Sequence, residues 1–237
     1  MIKANLTVRF FILGGSMKQY PLVSCMMLTY NRFKPFKKAV ECFLNQTYEN
    51  KELIVINSGN AKYHDKVDYY LETLRLNCKF MTCSYKHIHA YRNTLGELRN
   101  VGIEHSKGKF VAVFDDDDIH HPERISRQVD ICLRSNIHAT LLRNFTAVRK
   151  NWFNTKRDNC SILKGLDGTI LFVKSELRYP EMNQGEDTSF LETLKSSGYN
   201  VAVIDEPYDM YEYNFYGNNT VSKQHFEDMI KLNKPLR

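Results

Sequence analysis

Four consecutive aspartates occupy residues 115–118, directly after the apolar run 110–114. An uninterrupted apolar run predicts a strand that is buried on both faces, as in a parallel sheet. Ligands of open α/β sheets bind outside the carboxyl ends of the strands, so this acidic turn lies where a ligand would sit. Like charges packed together repel unless a cation offsets them. The turn therefore predicts a site for Mg²⁺ or Mn²⁺, with one of the four carboxylates expected to cap the following helix instead.

The elements that would position this turn alternate between short apolar runs and helical periodicity from residue 21 onward. This order is typical of a parallel sheet with crossover helices. Strands are predicted at 22–28, 52–56, 79–84 and 110–114. The helices between them include one with Pro35 in its first turn and others around 67–74 and 95–101, and Pro122 opens a further helix.

Beyond residue 135 the pattern becomes more mixed. Strands are predicted at 139–148, 168–173 and 201–204, with a helix at 186–195 that follows Gly185 and ends before Gly198, and a last helix near 226–232. No linker separates the two parts. We therefore predict residues 21–237 to form one α/β domain with halves 21–120 and 121–237, preceded by a leader or extension at 1–20.

The composition agrees with a folded domain. The chain has 237 residues, of which 43% are hydrophobic, 25% charged and 12% aromatic. These values exclude a disordered tail, a collagen-like fibre and a coiled coil. The net charge of +6 favours anionic partners, either phosphate-bearing ligands or nucleic acid. The apolar run 6–13 contains Arg9 and is too short to span a bilayer. We therefore predict a soluble, cytoplasmic protein with no transmembrane segment, able to act peripherally at a membrane.

Several short motifs stand in a fixed order along the chain, at 22–24, 29–32, 53–59, 99–103, 108–110, 114–118, 122–124 and 185–187. Each motif alone is weak, but in this order they resemble family 2 nucleotide-sugar glycosyltransferases over residues 21–204. The resemblance implies an α/β GT-A fold, with a Rossmann-like, mostly parallel central sheet flanked by helices and a mixed C-terminal acceptor-side region. Residues 21–120 would then form the nucleotide-donor half and 121–237 the acceptor-side half.

The resemblance also implies which residues bind the donor nucleotide. They lie in the turns after the first, second and fourth strands and on the third helix: Thr29, Tyr30, Asn31, Arg32, Asn57, Ser58, Arg99, Asp115 and Asp116. The family usually carries acidic residues at the second of these turns, so Asn57 and Ser58 depart from its pattern and leave the identity of the base open. For Arg99 the alternative is a surface arginine on an amphipathic helix.

The same resemblance assigns the metal and the base. Asp115, Asp116 and Asp117 align with the family's Asp-X-Asp motif, in which Asp115 would meet the ribose and Asp117 would ligate the metal, with Asp115 as a further metal ligand. Asp187 matches the general base, and Glu186 would orient the acceptor or the base. The alternative for both is stabilisation of a helix N-terminus. Many relatives have a histidine near the C-terminal end as a metal ligand, where this sequence has Tyr216.

The implied reaction is an inverting transfer of a sugar from a nucleotide-sugar donor, with a UDP-sugar favoured, to a hydroxyl of a glycan, lipid or protein. Mn²⁺ or Mg²⁺ would neutralise the leaving nucleoside diphosphate. One alternative is a sugar-phosphate nucleotidyltransferase, which should have a glycine-rich phosphate loop after its first strand, whereas residues 29–34 contain no glycine.

A second alternative is a nucleic-acid-binding protein. It depends on the net charge and on the basic, aromatic segment 143–157, which includes Trp152 and Phe153. That segment could equally form an acceptor platform, a lid or a solvated hairpin. Because nucleic-acid binding leaves the acidic turn without a purpose, no nucleic-acid partner is predicted.

Overall fold

The computed structural model of the protein describes residues 20–77, 79, 83–90, 94–150, 154–216 and 222–234. The predicted leader or extension, apart from its last residue, lies outside these ranges, as do Trp152 and Phe153. Within the described ranges, none of the helices combines the length and the apolar character that a bilayer-spanning helix requires.

The first half of the chain forms four parallel strands with three crossover helices. In chain order these are β1 (Val23–Thr29), α1 (Phe33–Leu44), β2 (Lys51–Asn57), α2 (Ala61–Leu76), β3 (Ser84–His89), α3 (Leu95–His105) and β4 (Phe110–Val113). The strands lie side by side in the order β3-β2-β1-β4. Every residue of β1, β2 and β4 is buried. The predicted strand buried on both faces before the acidic turn is therefore confirmed.

The second half extends this sheet with mixed pairing. Its elements are β5 (Ile119–His120), α4 (Arg124–Arg134), β6 (Ala139–Lys150), β7 (Thr155–Val173), α5 (Glu186–Ser196), β8 (Val201–Ile204), β9 (Tyr211–Phe215) and α6 (Lys223–Asn233). Strand β7 runs antiparallel to both β4 and β6, while β8 and β9 run parallel to β6. Within the described residues the result is one nine-stranded sheet in the order β3-β2-β1-β4-β7-β6-β9-β5, with β8 beside β6.

Helices cover both faces of the central sheet. Alternate residues of β1 point to opposite sides: Cys25 and Met27 join the layer that contains Phe36 of α1, while Met26 joins the layer that contains Phe190 of α5. Each layer is apolar and buried, which removes the strands from water. Polar turns follow the carboxyl ends of β1, β2 and β4.

Four strands differ from the sequence prediction, one of them β7, which was predicted at 168–173 but spans Thr155–Val173. The third strand was predicted at 79–84, a stretch that lies partly outside the described residues, but β3 spans Ser84–His89. It is an edge strand whose residues are exposed or half-buried, so its polar sequence gives no apolar run. Strand β5 has two residues and β9 has five, and neither was predicted because neither contains a continuous apolar run.

Candidate active site

The turns after β1 and β2 lie side by side at the carboxyl edge of the sheet. The backbone N–H of Ser58 donates to the carbonyl oxygen of Thr29 at 3.1 Å. The backbone N–H of Asn60 donates to Oδ1 of Asn31 at 3.2 Å, and Asn31 has a positive φ of 51°. Because β1 lies between β2 and β4, these turns also adjoin the acidic turn. The structure thus brings together the residues that the sequence assigns to the donor nucleotide.

The residues of these turns differ in their exposure and in their hydrogen bonds to the rest of the protein. Thr29 is buried, with Oγ1 2.6 Å from the hydroxyl of Tyr63, whereas Tyr30 is 60% exposed. Asn57 is fully buried; its Oδ1 accepts from the backbone N–H of Gly59 at 2.9 Å, and its Nδ2 donates to Nε2 of His87 at 3.2 Å. Tyr30 is therefore available to a ligand, while Thr29 and Asn57 shape the two turns.

Arg32 pairs with two carboxylates of the acidic turn. Its Nη2 lies 2.5 Å from Oδ1 of Asp116, and its Nη1 lies 2.5 Å from Oδ2 of Asp117. Burial raises the pKa of both carboxyl groups above their usual range, and the charge of Arg32 opposes this rise. Arg32 thus contacts the predicted metal ligand directly, which the sequence prediction of a nucleotide contact did not include.

The four aspartates alternate between the solvent side and the interior. The side chains of Asp115 and Asp117 are 24% and 11% exposed, whereas Asp116 and Asp118 are buried. Asp118 accepts hydrogen bonds from the Tyr211 hydroxyl and, at 2.7 Å, from the backbone N–H of Asn214. It therefore anchors β9 to the turn.

The prediction that one of these carboxylates caps the following helix is wrong. Glu123 precedes α4 and its side chain makes no capping hydrogen bond, whereas Oε1 of Gln46 accepts from the backbone N–H of Ile125 in the first turn at 3.1 Å. The physical reason is distance along the chain, because β5 intervenes between the acidic turn and Arg124, where the helix begins.

The donor set of the turn fits a hard divalent cation. Asp115 and Asp117 present carboxylate oxygens on the accessible side, and oxygen ligands are those that Mg²⁺ and Mn²⁺ prefer. Oδ2 of Asp116 is buried and has no hydrogen-bond partner among the described residues, so the turn carries uncompensated acceptor capacity. Asp115 and Asp117 are the residues that would hold the ion.

The second acidic pair lies at the start of α5. Gly185 precedes the helix with a φ of 77°, and Glu186 and Asp187 form its first turn. Oδ1 of Asp187 lies 2.9 Å from Nε of Arg99, and Oδ2 accepts from Nη2 of Arg99 at 3.0 Å. Burial raises the pKa of Asp187 to about 7, although the charge of Arg99 acts in the opposite direction. A carboxyl group with this pKa can accept a proton near neutral pH.

Arg99 joins the two acidic groups. It is 5% exposed, so the alternative of a surface arginine on an amphipathic helix is wrong. Besides Asp187, its guanidinium lies 3.5 Å from Asp115 and 3.7 Å from Glu186. Its helix, α3, begins with a capping box in which Thr94 and Glu97 satisfy each other's backbone N–H groups. A buried cation on a well-capped helix therefore fixes the separation between the acidic turn and the start of α5.

Arg124, which belongs to the motif at 122–124 but was given no role from the sequence, supports the acidic turn from the interior. Arg124 is fully buried and donates to His120 Nδ1 at 2.7 Å, to Gln128 Oε1 at 3.0 Å and to the Thr169 carbonyl oxygen at 2.9 Å. His120 stacks on Phe114 with ring centroids 3.6 Å apart. Burial lowers the pKa of His120 well below its usual value, so it is a neutral packing residue. The apolar periodicity that predicted helix α4 does not indicate which polar residues contact Arg124.

The C-terminal strand brings further aromatic residues to the site. Burial and, to a smaller extent, the nearby charges of Asp117 and Asp118 raise the pKa of Tyr216 to about 12. Nζ of Lys150 donates to the hydroxyl of Tyr216 at 3.1 Å. Tyr216, which stands where a histidine was expected from the resemblance, therefore lies near the acidic turn.

The basic segment 143–157 forms a hairpin from the end of β6 and the start of β7. One of its faces is buried rather than solvated, since Phe145 is fully buried and packs with Tyr213. Farther along the same face, Arg149 pairs with Asp158 at 2.9 Å. Trp152 and Phe153, which were predicted to form part of a platform or lid, lie outside the described residues.

Comparisons with known proteins find glycosyltransferases. The glucosyltransferase WfgD of Escherichia coli, named as UDP-Glc:alpha-D-GlcNAc-diphosphoundecaprenol beta-1,3-glucosyltransferase, is 25% identical over 225 residues, which cover 88% of this chain and 82% of WfgD. An uncharacterized glycosyltransferase of Haemophilus influenzae is 31% identical over 132 residues, covering 56% of this chain and 39% of that protein. An uncharacterized glycosyltransferase of Rickettsia bellii is 28% identical over 133 residues, which cover 52% of this chain and 17% of that protein. The chain thus spans less than half the length of these two uncharacterized relatives.

Solved structures share the fold. S. aureus TarS, residues 1–349 in complex with UDP, superposes with a TM-score of 0.63 at 16% identity, covering 88% of this chain and 69% of that one. The mannosyltransferase PcManGT from Pyrobaculum calidifontis, in complex with GDP-Man and Mn²⁺, gives 0.63 at 15% identity, with shares of 89% and 60%. These neighbours are GT-A glycosyltransferases, which confirms the predicted fold. Residues 24–206, most of the chain, match the family model Glycosyl transferase family 2. The chain therefore belongs to glycosyl transferase family 2.

Proposed function

We propose that the protein is an inverting glycosyltransferase that moves a sugar from a nucleotide-sugar donor to an acceptor hydroxyl by direct displacement. The observation that carries this proposal is the arrangement around Arg99, which lies 3.5 Å from Asp115 of the acidic turn and 2.9 Å from Asp187 of α5. A leaving-group site and a basic carboxylate are thereby held at a fixed separation. Attack assisted by one base, from the face opposite the leaving group, inverts the anomeric carbon.

The donor is proposed to be a UDP-sugar. WfgD is named as a UDP-Glc-dependent enzyme, and TarS has been solved in complex with UDP and with UDP-GlcNAc, which support this choice. PcManGT was solved with GDP-Man, so the fold also accepts another base. Tyr30 and Ser58, at the accessible surface of the two adjoining turns, are proposed to contact the base and ribose. Asn57 would act through the shape of its turn, since both ends of its amide are engaged.

Asp117 and Asp115 are proposed to hold Mn²⁺ or Mg²⁺. When bound, this ion would neutralise charge on the leaving nucleoside diphosphate. The chain's own residues prepare the site: Arg32 balances Asp116 and Asp117, and Arg124 supports the turn through His120.

Asp187 is proposed to take the proton of the acceptor hydroxyl at Oδ1 or Oδ2. A base is most effective when its pKa is near the working pH, and burial raises the pKa of Asp187 to about 7. Arg99 positions this carboxylate through Nε and Nη2. Glu186, which is 5% exposed and 3.7 Å from Arg99, is proposed to orient Asp187 rather than to react itself.

The acceptor is proposed to be a glycan, lipid or protein hydroxyl at the edge formed by the second half of the chain, residues 121–237. Residues 21–120 form the donor half of the same domain in this proposal. A cytoplasmic location, peripheral at a membrane, stays a prediction from the sequence.

The proposed reaction is tested with a panel of UDP-sugars and the Asp187→Asn variant. We expect this variant to bind the donor as the unmodified protein does, by calorimetry, while transfer falls about 10²–10⁴-fold. Glu192→Gln, an exposed position on the same helix, is the matched control and should leave both unchanged. A loss of donor binding in Asp187→Asn would instead make Asp187 structural.

Product analysis tests the stereochemistry and the reaction class. Proton NMR of the product should show the anomeric configuration opposite to that of the donor, and retention would contradict the mechanism. Release of pyrophosphate from a nucleoside triphosphate, in place of nucleoside diphosphate from the sugar donor, would indicate a nucleotidyltransferase.

A further inference from the structure

Three histidines form a cluster outside the acidic turn. His64 lies in the first turns of α2, and His87 and His89 lie two residues apart on β3, where side chains share a face. One ligand atom from each of the three side chains lies within 4.8 Å of the other two. The ring centroids of His64 and His89 are 4.0 Å apart, and those of His87 and His89 are 4.7 Å apart. Three imidazoles from two separate elements therefore converge on one point.

We propose that His64, His87 and His89 bind one divalent transition-metal ion, with Zn²⁺ as the expected occupant. Imidazole nitrogen is a preferred ligand of Zn²⁺, whereas Mg²⁺ prefers the oxygen ligands of the acidic turn. The two sites thus differ in ligand chemistry. This proposal does not depend on the glycosyltransferase reaction.

Asp68 orients two of the three rings. Its Oδ1 accepts from Nδ1 of His87 at 2.6 Å, and its Oδ2 accepts from Nε2 of His89 at 3.2 Å. A carboxylate acts only as an acceptor, so it fixes the protons on those nitrogens and leaves lone pairs on His87 Nε2 and His89 Nδ1. A histidine that donates its second nitrogen to a carboxylate is the usual arrangement of a metal-binding imidazole.

The third ring, that of His64, is buried. Burial lowers the pKa of His64 and that of His87 below the usual value of a histidine. Burial would raise the pKa of Asp68, but the hydrogen bonds from His87 and His89 lower it below its ordinary value.

Closing the cluster around an ion requires a small movement. Zinc–nitrogen bonds of about 2.0–2.1 Å place the nitrogens of a tetrahedral site roughly 3.3 Å apart. The side chain of His89 is 41% exposed and its partner Asp68 is 52% exposed, so this pair can shift toward the other two rings, whereas the side chain of His87 is 4% exposed and fixed. His87 Nε2 now accepts from Asn57 at 3.2 Å, and an ion on that nitrogen would replace this hydrogen bond. An occupied site would tie the edge strand β3 to α2.

Cobalt titration tests the proposal, because tetrahedral Co²⁺ with nitrogen ligands absorbs in the visible. The chain is used without a polyhistidine tag and with excess Mg²⁺, which occupies oxygen sites. We expect a band that saturates at one equivalent and is displaced by Zn²⁺. His89→Gln should weaken binding at least tenfold, and Asp68→Asn about 10–100-fold. His105→Gln on α3, outside the cluster, is the matched control and should change nothing.

Two results would overturn the proposal. One is the lack of a saturable band in the unmodified protein, and the other is equal affinity in His89→Gln and the unmodified protein. Because His89 is partly exposed, its variant is expected to fold, and a thermal melt in metal-free buffer verifies this. If His89→Gln failed to fold, the Asp68→Asn variant would decide, since Asp68 is exposed.

Discussion

Nε of Arg99 lies 2.9 Å from Oδ1 of Asp187, while another nitrogen of the same guanidinium lies 3.5 Å from Asp115. One buried cation thereby balances the proposed base and a proposed metal ligand. The two carboxylates lie 72 residues apart in sequence, so their spacing in the site depends on the helix that carries Arg99. Replacing Arg99 would leave both charges without their partner, and its effects should exceed those of losing one contact.

The Arg99→Gln variant should shift the pH dependence of transfer. Asp187 acts as a base only when deprotonated, and its pKa is raised by burial to about 7, while Arg99 lowers it. Removing the positive charge therefore raises the pKa, so the acidic limb of the kcat profile should move to higher pH by about one unit or more. Arg99→Lys keeps the charge and should shift less. An unchanged acidic limb in Arg99→Gln would contradict the role of Asp187 as the titrating base.

The sequence was sufficient to predict those elements whose signal lies in consecutive residues. The apolar run 110–114 and the acidic turn after it predicted both a buried strand and its place at the ligand edge. The pairing of Arg32 with Asp116, by contrast, joins residues 84 positions apart and appears in no local pattern. The edge strand β3 has no apolar run and β9 is only five residues long, so β3 was misplaced, and β9 and the cluster of His64, His87 and His89 were missed. Arg124 was given no role because its burial depends on three partners from different elements.

Arg32→Gln should make stability strongly dependent on Mn²⁺. Asp116 is fully buried, and losing its ion-pair partner leaves an uncompensated charge, at a cost of about 3 kcal/mol. A divalent ion on the acidic turn supplies positive charge in the same place. Urea unfolding with EDTA should therefore show the full deficit, and unfolding with Mn²⁺ a smaller one. The same deficit under both conditions would mean that no cation binds next to Asp116.

Tyr211→Phe should destabilise the protein without touching the reacting groups. The Tyr211 hydroxyl donates to buried Asp118, which keeps only the backbone N–H of Asn214 after the change. Leaving a buried carboxylate short of a donor costs about 1–3 kcal/mol. Urea unfolding measures this, with Tyr69→Phe, at a site 78% exposed, as the control. Equal stability of the two variants would mean that Asp118 does not depend on Tyr211.

Alanine substitutions at the two glycines that flank α5 distinguish an effect on stability from an effect on catalysis. Gly185, before the helix, has a φ of 77°, and Gly198, after it, has a φ of 83°. A Cβ atom at either position would meet nothing within 4 Å, so alanine costs only the left-handed backbone strain, about 1–2 kcal/mol. Gly185→Ala and Gly198→Ala should therefore lower the free energy of unfolding by similar amounts.

Their activities should differ, because Gly185 directly precedes Glu186 and Asp187, whereas Gly198 lies at the opposite end of the helix. Relaxing the strained backbone in Gly185→Ala would move Asp187 relative to Arg99, so kcat should fall at least tenfold while the affinity for the donor stays the same. Gly198→Ala should keep its kcat. Equal kcat values in two equally destabilised variants would show that the position of Asp187 does not depend on the left-handed turn before α5.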